Sequence, residues 1–262
     1  SADQVLANVL EEKCFTVQPT LKKIFINYVK GQLLEYLSQP LSRFNNQPPR
    51  HLVFAGPPGT GKTSVARIFG ELLYKCGIVP KKDVIELRRD KIASRYINQM
   101  EEEMAKQVKD GAGHVLFIDE IYQLGVGKEA HKALEALMNC AYESRNKTPI
   151  IILAGYQEEI QDKVFSVNEG FASRFPETVT FAPMSPAQLT TILESKLRER
   201  GRSLRVFCDQ VDRAAIENAI AAVPLEIRQS ANARLCDRVL VNLPSVEPDL
   251  PEEEESLFGY ME

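Results

Sequence analysis

The chain has 262 residues, a formal net charge of −4 at pH 7 and 44% hydrophobic residues. This length accommodates one or two domains with a sizeable core. No apolar run approaches the roughly 20 residues of a membrane-spanning helix, which argues against a role in the membrane. The acidic balance makes nucleic acid a less favoured partner, although residues 196–205 form a basic stretch.

The N-terminus and the cysteines bear on the compartment. Residues 1–15 contain no basic start followed by an apolar stretch, so we expect an intracellular, cytoplasmic protein. The five cysteines are odd in number and widely spaced, without a C-x-x-C pair. This pattern argues against a disulfide framework or a zinc site and predicts reduced thiols.

From residue 51 onward, short apolar runs alternate with segments of helical period, which is typical of parallel strands joined by crossover helices. Strands are predicted at residues 51–55, 83–87, 114–119, 149–154 and 178–181. Two helices between them carry one-face apolar stripes, namely Val65, Ile68, Phe69, Leu72 and Leu73, and then Ala130, Leu134, Leu137, Met138 and Ala141. We interpret both stripes as core.

After residue 181 a helical unit is predicted. Ser185, Pro186 and Gln188 form a capping pattern at its start. The stripes Leu189, Ile192, Leu193, Leu197 and Val211, Ala215, Ile216, Ala219, Ile220 predict two helices, and residues 231–243 predict a third. We therefore expect an α/β domain with an N-terminal helical segment at residues 1–183, a small α-helical lid domain at 184–246, and an acidic flexible tail or linker at 247–262.

One phosphate-binding motif lies between the first strand and its helix. Residues 56–63 match G-x-x-x-x-G-K-[ST]; the residues predicted to contact the nucleotide are Gly56, Pro57, Pro58, Gly59, Thr60, Gly61, Lys62, Thr63 and the adjacent Ser64. The backbone N–H groups of such a loop point at phosphate oxygens. Lys62 would reach the β- and γ-phosphates, and Thr63 would bind Mg²⁺. The alternative is a glycine-rich turn without a ligand.

Two adjacent carboxylates follow the strand at residues 114–119. Asp119 stands at the carboxyl end of that strand, where parallel sheets place their ligands. It would hold Mg²⁺, and Glu120 would polarise the water that attacks the γ-phosphate. The alternative, a solvated turn, loses weight because the phosphate loop precedes it in the chain.

The phosphate loop, the strand ending in Asp119 and Glu120, and the helical lid together resemble an AAA+ ATPase. Residues 152–156 (ILAGY), 168–175 (NEGFASRF) and 232–234 (NAR) resemble the CbbX/CfxQ, sporulation-protein-K-like branch, which includes red-type Rubisco activases. The resemblance covers roughly residues 50–240. It implies a P-loop AAA+ αβα domain followed by a helical lid, with ATP and Mg²⁺ as cofactors.

The resemblance also implies roles for three further residues. Arg174 matches the arginine that completes the site of a neighbouring subunit in a homo-oligomeric, commonly hexameric, ring; the alternative is a surface arginine or an ion-pair partner. Arg234 matches the second sensor, which contacts the γ-phosphate; the alternative is an ion pair with Asp237. Tyr156 stands near the first sensor, where its phenol could bind the water network or its ring could pack.

A protein substrate is implied by residues 94–99 (SRYINQ), which align with the family's first pore loop. Tyr96 and Ile97 would grip a polypeptide in the central channel, and the alternative is that Tyr96 packs on the core. Asn98 stands where the family often has glycine. The N-terminal segment lacks the Gly-Leu stretch that contacts adenine in relatives, so the base pocket is unassigned.

The leading hypothesis is a Mg-ATP-dependent ATPase that forms a ring and remodels or threads a protein. The alternatives are a nucleotide-switched assembly module of a larger tandem protein and, less favoured, a nucleic-acid motor.

Overall fold

A computed structural model of the chain describes residues 19–88, 100–124, 127–199 and 213–242. Its strands are β1 (Leu52–Ala55), β2 (Val84–Leu87), β3 (Val115–Asp119), β4 (Ile150–Gly155) and β5 (Glu177–Thr180). Their ends differ from the predicted ones by at most one residue, so the strand predictions are confirmed.

Helices flank and follow these strands. Among the described residues, two precede the sheet: α1 (Pro19–Leu37) and α2 (Leu41–Asn46). Those described between the strands are α3 (Lys62–Lys75), α4 (Met100–Asp110), α5 (Lys128–Ala141), α6 (Gln157–Lys163) and α7 (Gly170–Arg174), with 3-10 turns at Ile121–Leu124 and Phe165–Val167. The described helices after the sheet are α8 (Pro186–Glu199), α9 (Arg213–Ala222), α10 (Leu225–Ala231) and α11 (Ala233–Asn242). In the part of the chain that the structure describes, no helix is both long and apolar enough to cross a bilayer.

The strands form one parallel sheet in the order β2-β3-β4-β1-β5. Strand β1 lies between β4 and β5, with Leu52 opposite Ile152 on one side and Glu177 on the other. Because all these strands run the same way, the carboxyl ends of β1, β3 and β4 meet at one edge. The phosphate loop and the acidic pair are both at that edge.

The two faces of the sheet are covered by different helices. Leu52 and Phe54 face one cluster that contains residues of α1 and α3, while Val53 and Ala55 face another with residues of α4 and α5. Successive strand side chains point to opposite faces, which is why one apolar run feeds both clusters. The predicted αβα arrangement is confirmed, and both predicted helix stripes lie in these clusters.

Helices α8 to α11 form the lid, and α8, α9 and α11 enclose a separate core of Met184, Leu189, Leu193, Leu197, Ile220, Cys236 and Leu240. The predicted capping pattern is present: the Ser185 N–H donates to Gln188 Oε1 at 2.8 Å and the Gln188 N–H donates to Ser185 Oγ at 3.3 Å.

Two lid predictions need correction. On α9, Ala215 and Ala219 are exposed and Ile220 is buried, so the apolar stripe is narrower than expected; Val211 lies outside the described residues. The helix predicted at 231–243 is present as α11 (Ala233–Asn242) but begins two residues later than expected, because the chain breaks at Asn232, whose φ is +47°; α10, which precedes the break, was not predicted.

Candidate nucleotide site

The phosphate loop connects β1 to α3. The Gly56 N–H donates to Gly155 O at 2.9 Å, which ties the start of the loop to the end of β4. Gly59 and Gly61 have φ values of +73° and +89°, a region that favours glycine, and Gly61 caps α3. The Thr60 hydroxyl donates to Pro57 O at 2.8 Å across the loop. The helix therefore begins where the loop turns, as a phosphate cradle requires.

Lys62 lies in the first turn of α3 and folds back over the loop. Its ammonium group donates to the carbonyl oxygens of Gly56 and Pro57, both at 2.8 Å. Burial lowers the pKa of Lys62, and the negative charges of Asp119 and Glu120 oppose that shift. To reach a phosphate, the ammonium group would exchange these carbonyls for phosphate oxygens.

The acidic pair, Asp119 and Glu120, lies at the carboxyl end of β3, at the same edge of the sheet as Lys62. Asp119 ends β3 and is half-buried. Burial raises the pKa of its carboxyl, while Lys62 and Arg88 act in the opposite direction. A half-buried carboxylate with a perturbed pKa beside the phosphate loop is a candidate functional residue.

Glu120 follows with a φ of +49°, which is uncommon for a residue with a side chain. Its N–H donates to Ala154 O at 2.9 Å, and its carboxylate accepts a hydrogen bond from Gln123 Nε2. The backbone bond fixes the residue next to the end of β4, and Gln123 orients the carboxylate.

The donor set fits Mg²⁺. Thr63 offers a half-buried hydroxyl in the first turn of α3, and Asp119 offers a carboxylate. Both are hard oxygen ligands, and Mg²⁺ in nucleotide sites takes one or two protein oxygens together with phosphate oxygens and water. Over the described ranges, no group of three or more His, Cys, Asp and Glu forms a separate metal cluster.

Arg234 reaches the same site from the lid. It lies in the first turn of α11, is exposed, and its charge acts on both Lys62 and Asp119. Asp237, the alternative partner, receives a hydrogen bond from Lys196 Nζ at 2.6 Å instead. Ser64 is exposed beside Thr63 at the start of α3. The sensor role of Arg234 stays a prediction, with its position in its favour.

Tyr156 follows β4 directly and is 43% exposed. Its ring centroid lies 6.4 Å from that of Tyr122. It borders a groove of about 450 Å³ that is also lined by Gly56 and Pro57. The residue therefore lies beside the phosphate loop, and both roles considered for it stay open.

Arg174 lies apart from this group. It ends α7, its guanidinium lies over the ring of Tyr142, and it donates to Ser173 Oγ at 2.9 Å. Its charge acts on His51, the residue before β1, at the opposite end of that strand from the phosphate loop. The structure does not bring Arg174 to the site of its own chain.

Tyr96 and Ile97, the predicted pore-loop pair, lie outside the described residues.

Two residues that the structure brings to the site had no predicted role. Gln123 stands in the 3-10 turn after Glu120, three residues away, a spacing that brings side chains together in such a turn. Asn232 belongs to the NAR motif but contacts the phosphate loop itself: its Nδ2 donates to Pro58 O at 3.1 Å.

Comparison with known proteins gives matches over this region. Residues 52–181 match the family described as "ATPase family associated with various cellular activities (AAA)". Stage V sporulation protein K of Bacillus subtilis is 37% identical over 152 residues, which are 57% of this chain and 47% of that protein. The chloroplastic ribulose bisphosphate carboxylase/oxygenase activase of Cyanidioschyzon merolae is 34% identical over 175 residues, 64% of this chain and 58% of that protein. The chain thus spans about half the length of these relatives.

A solved structure described as the basis for katanin self-assembly has a TM-score of 0.53 with 17% identity, over 87% of this chain and 70% of that chain. At this identity the match shows the fold alone. The sporulation protein and the activase belong to the branch that the sequence motifs indicated, so that resemblance is confirmed.

Proposed function

Because residues 52–181 belong to the AAA family of ATPases, we propose that the chain binds Mg-ATP, hydrolyses it, and works in a homo-oligomeric ring on a protein substrate. The observation that carries this proposal is that the end of β4 holds the phosphate loop and the acidic pair together. The Gly56 N–H donates to Gly155 O and the Glu120 N–H donates to Ala154 O, while Asn232 Nδ2 of the lid donates to Pro58 O in the loop. These groups come from β1–α3, β3 and the lid, so the tertiary fold is what assembles them.

In the proposed mechanism, the loop N–H groups and Lys62 bind the β- and γ-phosphates. Thr63 and Asp119 hold Mg²⁺, which offsets phosphate charge when bound. Glu120 accepts a proton from the attacking water, and the hydrogen bond from Gln123 keeps its carboxylate oriented for this step. Arg234 contacts the γ-phosphate from the lid and so links nucleotide state to lid position.

Arg174 is proposed to act on the site of a neighbouring subunit. Its place at the other end of β1 excludes it from its own site without a large rearrangement. A guanidinium carries a permanent charge and a planar set of donors, which suits charge that develops on a phosphoryl group. A homo-oligomeric ring is the proposed assembly because a closed ring places each Arg174 beside another subunit's nucleotide. Six subunits is the number that the family resemblance implies.

The proposed substrate is a polypeptide, with Tyr96 and Ile97 as the gripping pair. The name of the Cyanidioschyzon merolae relative describes an activator of ribulose bisphosphate carboxylase/oxygenase, itself a protein. This supports a protein as the class of substrate here, while substrate identity depends on loops and added domains that a shared fold does not fix.

The test is steady-state ATP hydrolysis with Mg²⁺ over a range of protein concentrations. The Glu120→Gln variant should retain ATP binding and lose at least about 100-fold in turnover, since it removes a general base. Turnover per subunit should rise steeply with concentration, because the proposed site is shared between subunits.

Other results would change the proposal in defined ways. Unchanged turnover in Glu120→Gln would remove Glu120 from its role. Turnover that does not depend on concentration, down to concentrations at which the protein is a monomer, would contradict a shared site. ATP binding without any turnover would favour the nucleotide-switched module.

A further inference from the structure

Asn232 has a backbone conformation that glycine usually supplies. Its φ and ψ are 47° and −127°, and its side chain is fully buried between α10 and α11. Such a conformation costs a residue with a side chain free energy, and it persists where the surroundings hold it in place. The hydrogen bonds of the Asn232 side chain supply this restraint.

The Asn232 side chain joins three segments of the chain. Nδ2 donates to Gln229 O at 2.5 Å in α10 and to Pro58 O at 3.1 Å in the phosphate loop. Oδ1 accepts from the Met184 N–H at 2.9 Å, where the chain enters the lid. Both donors and the acceptor of the buried amide are thus used.

The phosphate loop and the lid also meet through backbone atoms. The Ala233 N–H donates to Gly59 O at 3.0 Å. A Cβ added at Gly59 would lie 2.3 Å from Ala231 O, so the loop and the end of α10 touch without room for a side chain. This contact explains the need for glycine at position 59 independently of its positive φ.

These bonds have a direct consequence for the phosphate-binding amides. In a planar trans peptide, the C=O and the following N–H point in opposite directions. The hydrogen bond from Asn232 Nδ2 to Pro58 O fixes the peptide plane between residues 58 and 59, and so the direction of the Gly59 N–H. The hydrogen bond from the Ala233 N–H to Gly59 O fixes the next peptide plane, and so the direction of the Thr60 N–H. The lid therefore fixes the orientation of two N–H groups of the phosphate loop.

We propose that Asn232 is a positioning residue that fastens the lid to the phosphate loop and thereby orients the loop N–H groups that receive the nucleotide phosphates. The proposal rests on the proposed nucleotide site and adds a connection that works through Pro58 and Gly59. Arg234, two residues later, places a positive charge near the site, whereas Asn232 orients the backbone of the phosphate loop through hydrogen bonds.

Two variants separate the backbone from the side chain. Asn232→Gly keeps the backbone conformation and removes the side-chain bonds. Asn232→Asp keeps an acceptor for the Met184 N–H and places a carboxylate against the carbonyls of Pro58 and Gln229. Asn218→Asp, at an exposed position on α9, is the matched control for a charge change in the lid.

The first measurement is binding of the fluorescent analogue N-methylanthraniloyl-ATP with Mg²⁺. Asn232→Gly should weaken binding about tenfold, as expected for a buried hydrogen bond to the loop. Asn232→Asp should weaken it further, and Asn218→Asp should bind like the wild type. Because the loop N–H groups hold phosphate before and during reaction, KM should rise more than kcat falls.

The second measurement is hydrogen exchange without nucleotide. Asn232→Gly should speed exchange in peptides covering residues 56–64 as well as 225–242. Faster exchange in the lid alone would overturn the proposal, because Asn232 would then stabilise the lid without reaching the loop. Unchanged binding and exchange in Asn232→Gly would also overturn it, and this variant decides the matter if Asn232→Asp does not fold.

The two proposals fail in different ways. If the wild-type chain did not bind the analogue, the proposed nucleotide site would be wrong. The exchange experiment would still show whether Asn232 connects the lid to residues 56–64.

Discussion

At the scale of single residues, hydrogen bonds fix both the backbone and the side chain of Glu120. Its backbone has a positive φ, which costs a non-glycine residue on the order of 1 kcal/mol, and the hydrogen bond to Ala154 O compensates at the end of β3. Its side chain accepts a hydrogen bond from Gln123. The orientation of the proposed base therefore depends on a residue that has no chemical role of its own.

Replacing Gln123 by alanine should leave KM for ATP nearly unchanged and lower kcat roughly tenfold, because a misdirected carboxylate is a poorer base for a positioned water. Steady-state kinetics would measure both constants. The control is Gln161→Ala, which removes an exposed glutamine from α6. Equal kcat in Gln123→Ala and the wild type would show that Glu120 does not need this partner.

At the scale of elements, the buried His51 connects the start of β1 with β4 and α5. His51 Nδ1 accepts the Ile151 N–H at 3.0 Å in β4, and Nε2 donates to Ala141 O at 3.1 Å at the end of α5. The residue stands directly before β1 and is 1% exposed. Accepting at Nδ1 requires the neutral ring, and burial lowers the pKa of His51 to about 4.

This shift makes the free energy of unfolding depend on pH. The contribution of His51 is fully present above the unfolded pKa of about 6.5, since both states are then neutral. Below that pH the unfolded chain gains a proton, and stability falls until the folded ring is protonated near pH 4. The total loss from this group is about 3 kcal/mol.

Urea unfolding at pH 7 and pH 4.5 should therefore show a smaller loss of stability on acidification in His51→Gln than in the wild type. His131→Gln, at an exposed position on α5, should lose as much as the wild type. The same loss in all three proteins would contradict the neutral, buried state of His51.

At the scale of the whole molecule, Glu120 and Arg174 lie on different parts of one chain and are proposed to meet across an interface. Mixing the Glu120→Gln and Arg174→Ala variants should then restore ATP turnover, although each alone is inactive. With random assembly of equal amounts, recovery should approach about a quarter of the wild-type value, the fraction of interfaces that pair both intact residues.

The matched control mixes Glu120→Gln with the double variant Glu120→Gln/Arg174→Ala, which offers no intact Glu120 and should stay inactive. Gel filtration of the mixtures checks that the variants assemble together. Co-assembly without recovery would place Arg174 outside the neighbouring site.

Much of the architecture was predictable because its causes are local. Glycines that turn the chain, a lysine at a helix start and apolar runs of strand length identify β1, the loop and β3 from a few residues each. Strand order was not predictable in this way, since β1 pairs with residues far along the chain. The break at Asn232 also escaped prediction, because contacts with Pro58 and Met184 override a helical pattern.

The central place of β1 has a consequence for how the chain folds. Its partner strands β4 and β5 begin roughly 100 and 125 residues later in the chain. Pairing β1 with either strand therefore costs the entropy of closing a long loop before the free energy of strand pairing is gained. During synthesis the first strand emerges well before β4 and β5. Until they emerge, an apolar segment that directly precedes the phosphate loop has no partner strand, and an unpaired segment of this kind is prone to aggregate.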